Sequence, residues 1–122
     1  MASVKVLQNT TNEREIHRLF PGGRLTHQIG RDEGLQTILE EKAISRRHCM
    51  LVDKPGKDEV VVIDLGSTNK TYVNGKALNI GDEVTMKPKD ILQLGGMTYH
   101  YLVKRLEELD ANDRTLMDSD SI

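Results

Sequence analysis

Rings and cross-links are scarce: there is one cysteine, no tryptophan, and an aromatic content of only 3%. A lone Cys49 cannot close an intrachain disulfide, so packing must stabilise the chain. The shortage of rings removes the stacking platforms that single-stranded nucleic acid needs. An excess of one charge is also missing. Lys and Arg number 17 against 19 Asp and Glu, for a formal net charge of -2 and a pI near 6.1. A general phosphate-backbone binder would need a dominant basic surface. No run approaches the roughly 18 apolar residues of a membrane span, and Met1 to Lys5 lack the apolar stretch of a secretory signal. An intracellular setting, nuclear or cytoplasmic, is expected, with no nucleic-acid or membrane partner. The patterns Asn9-Thr10-Thr11 and Asn69-Lys70-Thr71 are then read as coincidental rather than as glycosylation sites. Gly-x-x-x-x-Gly-Lys-Ser/Thr, paired-cysteine zinc and His-Glu-x-x-His patterns are absent. Neither a metal, a cofactor nor an enzymatic activity is expected.

What the sequence does contain is a series of short β-favouring runs: Val4 to Leu7, Leu25 to Ile29, Cys49 to Val52, Val60 to Ile63, Ile91 to Leu94 and Thr98 to Val103. Turn residues separate them, as at Pro21-Gly22-Gly23, Asp53 to Asp58, Gly81-Asp82 and Gly95-Gly96. With 122 residues this predicts a single all-β domain, a β-sandwich. Val60-Val61-Val62-Ile63 is apolar without alternation and is expected at a central position. Asn74-Gly75 predicts a type I′ hairpin between Tyr72-Val73 and Lys76-Ala77, because both residues tolerate positive φ. Beyond Lys104 the chain turns polar and acidic. The domain is expected over 1–104, with a tail over 105–122. Leu102, Leu106 and Leu109 make a weak stripe for a short C-terminal helix, and Ala111 to Ile122 read as disordered. The abrupt ending reads as an excerpt of a longer protein.

Three loops after predicted strands carry anion-binding groups: Gly30-Arg31, Ser45-Arg46-Arg47-His48 and Gly66-Ser67-Thr68-Asn69. Arg31 supplies a planar fork for two phosphate oxygens, and Ser45 and Thr68 supply hydroxyl donors of short reach. Together they suit one phosphorylated side chain, which brings about -1.5 to -2 charge and three strong acceptors.

The order Gly30-Arg31, Ser45-x-x-His48, Ser67-Thr68-Asn69 and Val73-Asn74-Gly75 resembles the signature of forkhead-associated (FHA) domains, from about Val4 to Val103. The resemblance implies a sandwich of about eleven strands that holds phosphothreonine in the loops at one end. It implies that Arg31, Ser45, Arg46 and Thr68 contact the phosphate and that Asn69 binds the main chain of the phosphopeptide. Gly30 would let the chain turn tightly before Arg31, His48 would brace the loop that aims Ser45, and Asn74 and Gly75 would support the architecture. Lys70 departs from the family's usual glycine, which predicts backbone strain if φ is positive there and adds a cation that bears on specificity. Ala43 lacks the charge with which some relatives read acidic flanking residues.

Competing readings have weaker support. Arg46-Arg47 lacks aromatic neighbours for a nucleic-acid patch. His48-Cys49 pairs a base with a nucleophile only if adjacent side chains meet, and on a strand they diverge. A phosphorylation-independent interaction module using a sheet face or edge is the alternative class. The tail sequence Thr115-Leu116-Met117-Asp118 resembles ligands of the family, so self-association through phosphorylated Thr115 is a further expectation.

Overall fold

The computed structural model describes residues 3–109. Eleven strands alternate with short loops: β1 (Ser3–Asn9), β2 (Ile16–Arg18), β3 (Thr26–Gly30), β4 (Thr37–Ile38), β5 (Cys49–Asp53), β6 (Val60–Asp64), β7 (Thr71–Val73), β8 (Lys76–Ala77), β9 (Glu83–Met86), β10 (Ile91–Leu94) and β11 (Met97–Arg105). They form a six-stranded sheet in the order β2-β1-β11-β10-β7-β8 and a five-stranded sheet in the order β4-β3-β5-β6-β9. All neighbours are antiparallel except β3 and β4, where Ile29 and Gly30 face Thr37 and Ile38 in parallel.

The two sheets close on a core supplied by alternate residues. Leu7, Ile29, Leu51, Val62, Leu92, Leu94, Tyr99 and Tyr101 belong to it, and each such large side chain contributes about 1.5–3 kcal/mol by burial. β6 sits between β5 and β9 as expected of a central strand. Its outward residues Val61 and Ile63 are only half-buried, so the unbroken apolar run is covered fully on one face alone. At Asn74 and Gly75 φ is 52° and 82°, and Val73 pairs with Lys76 across them, which is the predicted hairpin geometry. The helix prediction is shifted. Leu102 lies in β11, and a single helical turn occupies 106–109, with Leu109 fully buried and Leu106 exposed. The expectations for Ala111 to Ile122, and for Thr115 in particular, lie outside the described residues. No helix among the described residues is long and apolar enough to cross a membrane.

The strand directions decide where the loops go. β3, β6 and β10 end, and β5, β7 and β11 begin, at the same end of the sandwich. The segments 31–36, 39–48, 65–70 and 95–96 therefore gather there, whereas Asn74-Gly75 lies at the far end of β7.

Candidate phosphopeptide site

Glycine is required at position 30 by crowding rather than by a turn. A Cβ there would stand 2.0 Å from the Arg46 carbonyl oxygen, while Gly30 is not among the residues with positive φ. The expected tight turn is thus replaced by a close approach of two backbones. The consequence is a stitched pair of loops: the Arg31 N–H donates to the Ser45 carbonyl at 3.1 Å and the Asp32 N–H to the Arg46 carbonyl at 3.2 Å. The Arg31 Nε–H donates to the Ile44 carbonyl. That bond ties the guanidinium to the second loop through Nε and leaves its two terminal nitrogens without a hydrogen-bond partner among the described residues.

His48 is buried with no exposed surface and joins two loops. Its Nδ1 accepts the Ser45 N–H at 3.1 Å. A carbonyl can only accept, so Nε2 carries the proton and donates to the Lys70 oxygen at 2.8 Å. Cys49 is no partner for it. Both ring nitrogens are already engaged by Ser45 and Lys70, and burial first, then the charge of Asp64, push the thiol far above its ordinary range.

The third loop hangs from Asp64, a residue that sequence reasoning did not single out. Its Oδ2 accepts the N–H groups of Gly66 and Ser67 at 2.9 and 3.1 Å. Its Oδ1 accepts the hydroxyls of Ser67 at 2.5 Å and Thr71 at 2.7 Å. Burial alone would raise this carboxyl; the bonds from Ser67, Thr71 and Gly66 outweigh it and hold the group below its ordinary range. Only the short polar side chain that ends β6 hints at this anchor, through its tendency to bond backbone N–H groups ahead of it.

So tethered, the third loop reaches the second. The Thr68 N–H donates to Ser45 Oγ at 2.9 Å, and Asn69 Nδ2 donates to the Ala43 carbonyl at 2.8 Å. Ala43 in turn packs on the β10–β11 turn, where a Cβ on Gly95 would come within 2.9 Å of its own Cβ. The structure therefore brings Arg31, Ser45, Thr68, Asn69 and Lys70 into one connected set. The side chains of Arg46, Thr68 and Lys70 are exposed, and neither cation is ion-paired with any described residue. Asn74 and Gly75 do not join this set. Asn74 instead closes its own hairpin onto β10, accepting the Ile91 N–H through Oδ1 at 2.9 Å.

The family model of the FHA domain matches residues 27–95, which span every residue of this set. The chain belongs to the forkhead-associated domain family. Solved FHA structures share its fold. An FHA domain from a study of phosphothreonine-dependent FHA domain interactions superposes with a TM-score of 0.69 at 25% identity, over 81% of this chain and 95% of its own. The FHA domain of an Arabidopsis thaliana hypothetical protein does so with a TM-score of 0.64 at 28% identity, over 84% of each chain. EmbR of Mycobacterium tuberculosis, solved with a low-affinity phosphopeptide, gives 0.72 at 20% identity over 84% of this chain. The present chain spans only 25% of EmbR.

Proposed function

We propose that this FHA domain binds a phosphothreonine-containing segment of another protein and thereby makes an association depend on phosphorylation. The observation that carries this is the convergence just described: donors from three loops, on separate strands, tied to one another through Ser45 Oγ, His48 and the Arg31 guanidinium. In this reading the terminal nitrogens of Arg31 take two phosphate oxygens, while the Ser45 and Thr68 hydroxyls and Arg46 supply the remaining donors. Asn69 keeps its Oδ1 and one N–H for the peptide main chain, since the other N–H is held by Ala43. Phosphopeptides bound to related FHA domains support the ligand class. Preference for phosphothreonine over phosphoserine would rest on burial of one methyl group, about 0.8 kcal/mol or roughly fourfold.

Arg31→Ala is the direct test. Each charge-assisted bond lost corresponds to about 1.5–3 kcal/mol, so affinity for a phosphothreonine peptide should fall by at least about tenfold. Arg31 is exposed, so the folded state should persist by circular dichroism. Calorimetry on the wild type and variant, with a phosphoserine peptide alongside, decides the matter; undiminished affinity in a folded Arg31→Ala protein would overturn the assignment.

A further inference from the structure

Next to the phosphate loops, at the same end of the sandwich, lies a groove of about 470 Å³ lined by Glu15, His17, Ile38, Leu39, Glu40, Glu41 and Met97. A smaller cavity of about 220 Å³ that touches Arg31 and Lys42 shares Glu40 and Glu41 with it. The two hollows thus meet along one acidic ridge. Ile38, Leu39 and Met97 give the groove an apolar floor, and Ile38 is 42% exposed, unusually open for an isoleucine beside a cavity.

The three carboxylates of the groove are not equivalent. Glu15 is saturated: it accepts from Asn9 Nδ2 at 2.9 Å, from His17 Nε2 at 2.8 Å and from the Tyr99 hydroxyl at 2.7 Å. Glu40 and Glu41 make neither an ion pair nor a side-chain hydrogen bond among the described residues. The Glu41 carboxylate reaches over the β10–β11 turn, with Oε1 3.9 Å from the place a Cβ on Gly96 would occupy. Two unpaired anions above an apolar floor complement one kind of side chain, a methylene stem ending in a cation.

We propose that this groove receives a lysine or arginine of the same phosphopeptide, at a position flanking the phosphothreonine. The inference rests on the phosphopeptide reading above and adds selectivity to it. The stem lies on Ile38, Leu39 and Met97, and the cation lies between Glu40 and Glu41. The dianion of the ligand then sits on the Arg31 side of the ridge and its cation on the other, which fixes the direction of the peptide. An acidic residue at the same position meets Glu40 and Glu41 as like charges, so discrimination comes from repulsion as well as attraction.

A positional scan tests this. Phosphothreonine peptides carrying Lys, Arg, Ala or Glu in turn at each of the flanking positions are titrated against the wild-type chain and against Glu40→Gln/Glu41→Gln. The wild type should favour Lys or Arg over Glu at one flanking position by about tenfold. The double variant should lose that preference while binding the Ala peptide at least as tightly as the wild type does. Phosphopeptide binding with no basic preference, or a preference that survives in the double variant, overturns the groove assignment and leaves the phosphopeptide reading standing. Failure to bind any phosphothreonine peptide overturns both.

Discussion

At position 70 a lysine holds the left-handed backbone conformation, with φ at 67°. The strain foreseen from the missing glycine is therefore present, at roughly 1–2 kcal/mol for a residue with a Cβ. It is tolerated because the Lys70 carbonyl is the acceptor for His48, so the loop cannot relax without releasing a buried ring. Lys70→Gly keeps that carbonyl and removes the clash. Net of glycine's greater freedom in the unfolded chain, it should raise stability by about 0.5–1 kcal/mol in urea denaturation; an unshifted midpoint would show that lysine is accommodated without strain. The side chains that the loops bring together, Arg31, Ser45 and Thr68, were legible at this scale. Their backbone partners, the carbonyls of Ala43, Ile44 and Lys70, were not, because a carbonyl has the same covalent form in every residue and only its position distinguishes it.

The loop from Leu65 to Lys70 is ordered by Asp64 rather than by its own sequence. That carboxylate is 3% exposed and accepts from four donors. Asp64→Ala should cost about 2–4 kcal/mol and weaken phosphopeptide binding, although Asp64 does not itself reach the proposed ligand. Hydrogen exchange separates the two effects: the Gly66 and Ser67 amides should lose protection while β1 and β11 keep theirs. Longer elements were legible by composition, including the six runs that coincide with β1, β3, β5, β6, β10 and β11. β2, β4 and β9 were missed. β2 and β4 have three and two residues, too few to display a period, and in Glu83-Val84-Thr85-Met86 of β9 the β-branched pair is only two residues long and follows a strand-disfavouring glutamate. These short strands pair because longer neighbours hold out unpaired backbone groups to them.

In the whole fold, His27 ties β3 to the Phe20 segment before it and to β4 after it. Fully buried, it accepts the Phe20 N–H on Nδ1 at 3.0 Å and is 2.6 Å from Thr37 Oγ1 through Nε2. The bond from Phe20 steadies a residue that itself has φ 56°, and the ring stacks edge-on at 5.8 Å. Burial first, and then the charges of His17 and Arg24, lower the His27 pKa from 6.5 to about 4. The folded state thus keeps the ring neutral where the unfolded chain would protonate it. Its contribution is complete above pH 6.5 and declines as pH falls toward 4, by about 3 kcal/mol in all. Denaturation midpoints measured at pH 7, 5.5 and 4.5 should drop accordingly, and His27→Gln should flatten that part of the profile; parallel profiles would remove His27 as the cause.

The amino-acid order alone was enough for the class of fold and for naming the loop residues proposed to hold a phosphate, because alternating apolar strands, turn residues and spaced Arg, Ser and Asn carry those suggestions locally. Strand pairing decided the rest. Only when β3, β5, β6 and β7 lie in two facing sheets do Gly30 and Arg46 crowd each other, does His48 reach Lys70, and do Glu40 and Glu41 form a ridge beside Arg31. These are contacts between residues far apart in the chain, and a carbonyl, a cavity or an unpaired carboxylate acquires its chemical role from what the fold places next to it.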